Sequence, residues 1–194
     1  MFPMKNDAPI KLYQFAISHY CEKIRWALDY KGLEYQIINL LPGLHFSKTK
    51  QFSTLTNNSN LPILTHELHA IQGSSQIIDY LDSNFTDKPL TPAEQNSAKL
   101  AQEWERIADE DIGPHIRRIL YHTLLEHPKI VKPFFAHQGP WYSSMYLKIA
   151  YTKLTKTMRK FMQIDELHVE QSKQILSLTV DKFSHHLEQQ NTRF

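Results

Sequence analysis

One cysteine, Cys21, stands in the 194 residues of this chain, which excludes an intramolecular disulfide framework and the dithiol chemistry of a C-x-x-C motif. No window approaches the roughly 20 apolar residues of a membrane-spanning helix. The start Met1-Phe2-Pro3-Met4-Lys5-Asn6-Asp7 lacks the apolar stretch of a secretory signal. Neither sign of charge dominates: 22 Lys and Arg residues are interspersed with 20 Asp and Glu, for a net charge of +2. That balance argues against a nucleic-acid surface. Together these absences predict a cytoplasmic protein with no membrane and no nucleic-acid partner. The 11 histidines form no H-x-x-x-H pair, and His185 and His186, adjacent on a helix, face different directions, so no metal site is expected. There is no internal repeat and no low-complexity tract.

What is present is a core-forming composition, 41% hydrophobic and 22% charged, in a length that suits one large domain or two of about 100 residues. Turn residues divide the chain into pieces of two kinds. The apolar run Leu12-Tyr13-Gln14-Phe15-Ala16-Ile17 predicts a strand over 11–17. Cys21, Ile24 and Leu28 then share one face of a helix over 20–31, which Gly32 stops, and 35–40 reads as a second strand. This is a βαβ unit of minimal length, so its strands should be parallel. After Leu41-Pro42-Gly43 comes a poorly patterned stretch to Asn60, then short strands over 63–65 and 69–71 close enough to form a hairpin. Ser74 opens a helix carrying Ile77, Ile78, Leu81 and Phe85.

Residues 10–85 thus read β-α-β-α-β-β-α. "TDKPLTP", residues 86–92, has the composition of a linker. Beyond it only helical periodicity remains: Leu100, Trp104, Ile107, Ala108 and Ile112 stripe one helix, and Gly113-Pro114 should kink or break it. Further helical patterns run through 116–125, 142–162, and Leu176, Val180, Phe183 and Leu187. The expected architecture is an α/β domain followed by an all-α domain over 93–194.

Chemistry concentrates in "SHYCEKIRWALDYKG", where a strand gives way to a helix. Unpaired N–H groups and the positive end of the helix dipole make such a junction suited to an anion or a thiolate. Two readings of Ser18 stand side by side: an N-cap of the helix, or a hydroxyl that donates to a bound thiolate. Cys21 lies on the apolar face, where a thiol behaves as a small buried hydrophobe and burial raises its pKa. Ser74 and Ser75 pose the same choice between capping and ligand binding one helix later.

Three motifs in order, "SHYCEKIRWALDYKG", "LPIL" and "GSSQIIDYL", together with the order of elements, resemble the soluble glutathione transferase family. The resemblance is good over 10–85 and rests on helix pattern alone from 93 to 194. It implies a thioredoxin-like N-terminal domain, a short linker and a helical domain, with glutathione as co-substrate and no metal. The S-x-x-C spacing matches the serine-using, theta-like classes, so Ser18 becomes the implied catalytic residue, lowering the glutathione thiol pKa by hydrogen bonding its ionised form. The family also implies a cis Leu61-Pro62 bond, although an isolated X-Pro bond defaults to trans. Leu61 and Pro62 would then present backbone groups to the cysteinyl unit.

Ser74 matches the serine that, with helix N–H groups, holds the γ-glutamyl carboxylate. Gly73 stands where an acid or Gln is usual, which leaves Gln72 to reach the amine. Gly43-Leu44-His45 matches a G-x-H in which the histidine meets the glycine carboxylate, with Lys48 and Lys50 as alternative cations. Asn60 replaces a usual lysine. Asp111, two helical turns beyond Trp104 on the same face, would meet the glutathione amine of a neighbouring subunit in a twofold homodimer, or else pair with Arg117 or Arg118.

The implied activity is attack of an activated glutathione thiol on an electrophile, as in detoxification, or on a peroxide. The alternative is a noncatalytic binding or scaffold protein of the same fold, to which Gly73 and Asn60 point. An electrophile pocket is expected between the domains, lined by 112–121 and the loop after the first strand. Phe134, Phe135, Trp141, Tyr142 and Tyr146 would serve either as its apolar lining or as helical core. The family's S/T-x-x-D helix start has no counterpart after Pro92, so the natural chain is expected to continue beyond Phe194.

Overall fold

The computed structural model describes residues 9–56 and 58–189. The expectations about the signal-free start and the end at Phe194 lie outside the described residues. Strand β1 (Ile10–Gln14) is followed by α1 (His19–Lys31), β2 (Tyr35–Asn39), a short α2 (His45–Thr49) and a 3-10 turn (Lys50–Phe52). Strands β3 (Ile63–His66) and β4 (His69–Gln72) then lead into α3 (Ser74–Asn84). The sheet order is β2-β1-β3-β4, with β1 parallel to β2 and antiparallel to β3, and β3 antiparallel to β4. This is a thioredoxin-like domain. Its core is closed: Leu12, Ile24, Leu28, Leu64, Ile77 and Leu81 are fully buried between the sheet and helices α1 and α3.

Helix α1 ends as its sequence requires, with Gly32 at φ 69° in the left-handed region and its N–H returned to Asp29 and Leu28 carbonyls. Lys31 in the last turn is buried, its side chain 1% exposed. Its ammonium meets Asp82 at 2.8 Å and the carbonyls of Phe85 and Lys88 at 2.8 and 3.2 Å. Asp82 Oδ1 also accepts the Leu90 N–H, and Oδ2 accepts the Thr91 N–H. One buried ion pair therefore ties α1, the end of α3 and the following connector together, which is what makes a buried charge tolerable.

From Gln95 the chain is helical: α4 (Gln95–Ile107), α5 (Gly113–Leu124), α6 (Pro128–Ala136), α7 (Ser143–Phe161) and α8 (Glu166–Gln189). Glu94 caps α4 through the N–H groups of Asn96 and Ser97, and Asp165 accepts the His168 N–H at the start of α8. A second core gathers Leu125, Val131, Phe135, Leu147, Tyr151, Leu154 and Met158. Where Gly113-Pro114 predicts a kink or break, the α-helical pattern gives way to a π turn, Ala108–Ile112, before α5 begins. Pro114 falls in the first turn of α5, where its missing donor is harmless. Among the described residues no helix is long and apolar enough to cross a membrane.

Candidate active site

The sheet register brings the sequence motifs to one edge. Tyr13 pairs with Ile63, and Ile63 with Gln72. Pro62 and Gly73 therefore lie beside the end of β1, and the Gly73 N–H donates to the Pro62 carbonyl at 3.1 Å. Gln14 pairs with Asn39 at the end of β2, so the chain entering α2 leaves from the same edge. The Leu61-Pro62 bond is cis. Gln14 is fully buried yet satisfied, donating to Asn39 Oδ1 at 2.9 Å and accepting from Arg25 at 2.5 Å. Arg25 also holds the Ala16 carbonyl at 3.2 Å and pairs with Glu22, which fixes the loop that carries Ser18.

Ser18 occupies the N-cap position of α1, but its side chain makes no cap hydrogen bond. The capping reading therefore fails for its hydroxyl. Cys21 is buried, and burial pushes its thiol pKa up, with hydrogen bonds from Ser18 and the Phe15 backbone only partly opposing this. Of the two residues, Cys21 is fully buried, whereas Ser18 is half-buried and reaches the cleft. Ser18 lines an open cleft of about 590 Å³ with Ala16, Ile17, His19, Lys23, Arg25 and Trp26 among its walls. The expected lining from 112–121 is not part of this cleft. Of the aromatic residues expected to flank an electrophile, Phe135 is core and Trp141 is 91% exposed.

His45 opens α2 and packs edge-on to Phe15, ring centroids 5.0 Å apart, beside the Ser18 loop. Its Nδ1 accepts the Gly43 N–H at 3.2 Å, and burial lowers its pKa. With Nδ1 accepting from Gly43, Nε2–H is the group left to donate, and burial disfavours the charged form. Lys48 and Lys50 are exposed. Gln72 spends its amide on the preceding loop, donating to the Asn58 and Asn60 carbonyls at 2.8 Å each. Its oxygen accepts from the Asn58 N–H at 3.3 Å. Asn60 is part of that latch through its carbonyl.

The start of α3 differs from expectation in an instructive way. Its N-cap is Gly73, at φ 95°, with no side-chain cap bond. Glycine there follows from backbone conformation. A Cβ at 73 would also collide with the amide oxygen of Gln76, so Gln76 fills the space that an acidic side chain at 73 would take. Ser74, 7% exposed, and Ser75 are the first helical residues. Neither hydroxyl caps the helix: both donate to Asp109 Oδ2, at 3.3 and 2.9 Å.

Asp109 is the residue that sequence reasoning missed. It also pairs with Lys23 at 2.8 Å, and Lys23 reaches Glu105 at 2.6 Å. The Tyr20 hydroxyl donates to the Asp109 carbonyl at 2.7 Å. The count that put Asp111 two turns beyond Trp104 assumes an unbroken α period, whereas residues 108–112 form a π turn in which Asp111 is half-buried. Within the chain it is Asp109 that approaches Ser74, and among the described residues Asp111 makes no ion pair with Arg117 or Arg118. Trp104 itself packs on Phe183 and His186 of α8, at 4.9 and 5.0 Å.

Comparison with known proteins fits this geometry. Residues 12–89 match the family model described as "Glutathione S-transferase, N-terminal domain". Glutathione S-transferase 1 of Dianthus caryophyllus is 33% identical over 107 residues, 54% of this chain and 48% of that protein. The maleylacetoacetate isomerase of Dictyostelium discoideum is 30% identical over 105 residues, 53% of this chain and 48% of that protein. The match thus spans about half the length of these curated relatives. Among solved structures, the β-etherase LigF from Sphingobium sp. strain SYK-6 superposes with a TM-score of 0.66 at 18% identity, covering 92% of this chain and 73% of that one. At that identity the likeness speaks to fold, and it extends through the helical region as well as the sheet. The chain is thus similar in sequence to the glutathione transferase N-terminal domain over 12–89, and its thioredoxin-like domain followed by a helical domain shares the fold of solved glutathione transferases.

Proposed function

We propose that the chain binds glutathione along the edge formed by Ser18, His45, Leu61, Pro62, Gln72, Gly73 and Ser74, and that Ser18 activates its thiol. The observation that carries this reading is the Ser18 hydroxyl, released from capping at the start of α1 while the neighbouring thiol is buried. The hydroxyl would donate to the thiolate sulfur, assisted by the dipole of α1. Lowering a thiol pKa from about 9 toward 6 or 7 raises its ionised fraction at neutral pH up to about a hundredfold, each unit amounting to roughly 1.4 kcal/mol. The thiolate then forms a carbon–sulfur bond to an electrophilic carbon, either expelling a leaving group with its electron pair or adding to a polarised double bond whose electron pair takes up a proton. In peroxide reduction it would take one peroxide oxygen as a sulfenate, which a second glutathione converts to disulfide and water.

His45 Nε2–H would donate to the glycine carboxylate, and the free N–H groups of α3 with Ser74 would hold the γ-glutamyl carboxylate. Twofold association as a homodimer and a cytoplasmic location complete the reading. In such a dimer Asp111, half-buried, would face the neighbouring subunit. The competing reading, a noncatalytic scaffold, draws on Asp109, whose carboxylate already occupies Ser74 and Ser75. Calorimetric titration with glutathione followed by a general electrophile assay separates the two. Binding with turnover is expected, and binding without turnover would favour the scaffold. Light scattering tests the dimer, for which a monomer at micromolar concentration is the contrary result.

A further inference from the structure

We propose that Asp109 is an internal competitor for the anion seat at the start of α3 and thereby sets the affinity of the site for ligands that carry a carboxylate there. The inference rests on the reading of that seat as the place of the γ-glutamyl carboxylate. The donors a ligand carboxylate would use are the Ser74 hydroxyl and the first N–H groups of α3, which have no side-chain cap. In the chain as it stands, one carboxylate oxygen of Asp109 takes the Ser74 hydroxyl at 3.3 Å, the Ser75 hydroxyl at 2.9 Å and the Lys23 ammonium at 2.8 Å. These are the donor types that recognise a free carboxylate.

The arrangement is held from behind. The π turn Ala108–Ile112 sets the direction of Asp109, and Tyr20 grips its carbonyl at 2.7 Å. Gly113 lets the turn sit against α1, since a Cβ there would lie 2.6 Å from the Tyr20 hydroxyl and 2.9 Å from His19 Nε2. The carboxylate is thus delivered by backbone that is itself fixed to the first domain. A second carboxylate entering the seat is repelled by the first at close range and in partly buried surroundings. It binds only while Asp109 swings away with Lys23, and its apparent affinity falls by the fraction of time the seat is open. A seat vacated about one tenth of the time weakens binding about tenfold.

The test compares the wild-type chain with Asp109→Asn and Asp109→Ala, the two substitutions together guarding against a failure of either to fold. Each is titrated calorimetrically with glutathione and with 4-aminobutanoyl-cysteinylglycine, the analogue that lacks the α-carboxylate. Both variants are expected to bind glutathione about tenfold more tightly than wild type while binding the analogue no more tightly. Unchanged or weaker glutathione binding overturns the proposal, the weaker result meaning that Asp109 serves as partner to the ligand ammonium. A second readout does not need glutathione: the amide resonances of Ser74 and Ser75 are followed on titration with inorganic sulfate. The variants should respond at about a tenth of the wild-type concentration, and equal midpoints overturn the competitor. If sulfate distinguishes the proteins while glutathione binds to none of them, the competitor stands and the glutathione reading fails.

Discussion

Two helices of the first domain begin with a serine at the same edge of the sheet, and they stand in opposite states. At the start of α1, Ser18 makes no cap bond and opens onto a cleft. At the start of α3, Ser74 and Ser75 are occupied by a carboxylate that the same chain supplies from its π turn. The difference lies in what packs above each start. Asp109 and Lys23 crowd the α3 start, whereas Gly113, the one residue in the π-turn region without a side chain, lies over Tyr20 and His19 beside the α1 start. Local sequence makes each helix start an anion site in principle. Tertiary packing decides which one is open.

The sharpest way to break the comparison is at Ser18. If its hydroxyl stabilises a thiolate, Ser18→Ala should lower turnover about 10 to 1000-fold, the range for one lost hydrogen bond to an anion in a site, with glutathione affinity little changed. The pH profile of the thiolate step should shift upward. Cys21→Ala, by contrast, removes a buried sulfur from the core and should lower the urea midpoint while sparing turnover per folded molecule. The reverse pattern would place the chemistry on Cys21.

A smaller effect is expected from closing the gap over α1. Gly113→Ala forces a methyl against the Tyr20 hydroxyl and His19 Nε2, and overpacking of this kind costs about 1–3 kcal/mol. Equilibrium urea unfolding measures it. Tyr20→Phe combined with Gly113→Ala should recover part of the loss, because the nearest clash is with the hydroxyl oxygen. No recovery would mean that the glycine is required for some other reason.

How far these features were legible depends on the range over which they are determined. The two domain types follow from local pattern, because a strand, a stop glycine and a helix face are written in a few adjacent residues, whereas the cis Leu61-Pro62 bond and the role of Ser18 came only with the family resemblance. Gly73 was legible as a residue but not in its meaning: a side chain is missing there because φ is 95°, and Gln76, three residues on, fills the gap. Asp109 was not legible at all. Its role depends on contacts 34 and 86 residues away in sequence, to Ser75 and Lys23, and on a π turn that shifts the helical period by which Asp111 was placed. His45 was singled out by its G-x-H motif, but the lowering of its pKa is a product of burial.

That burial predicts a modest pH effect on stability. His19 and His45 flank the Ser18 loop, and both have pKa values lowered, mainly by burial, with Arg117 adding to the effect at His19. His115, between α5 and α8, is lowered by burial and Arg118. A histidine with a depressed folded pKa is preferentially neutral in the folded chain, so between the folded and unfolded values the unfolded chain binds more protons and stability rises with pH. The contribution is complete above about 6.5 and is lost as pH falls through the folded values. The urea midpoint should therefore drop between pH 7.5 and 5.5, a range in which Asp82, also lowered, stays ionised. His45→Gln should reduce the drop, and a midpoint independent of pH across that range would contradict the lowered histidine pKa values.

The smallest effect is expected at Ser74, where the two helix starts can be compared directly. Removing its hydroxyl takes away one donor from the α3 seat, but Ser75, 2.9 Å from Asp109 against 3.3 Å for Ser74, keeps the closer bond. The N–H groups of α3 remain for a ligand carboxylate, and the loss of one neutral hydrogen bond is worth about 0.5–1.5 kcal/mol. Ser74→Ala should accordingly weaken glutathione binding only several-fold and leave the pH dependence of the thiolate step untouched, since that step belongs to Ser18. In the Asp109→Asn background the same substitution should cost more, because the hydroxyl then serves the ligand alone instead of being shared with an internal carboxylate. Calorimetry on the four proteins of this cycle measures the coupling. Equal costs in both backgrounds would mean that Asp109 and the ligand never use the same hydroxyl.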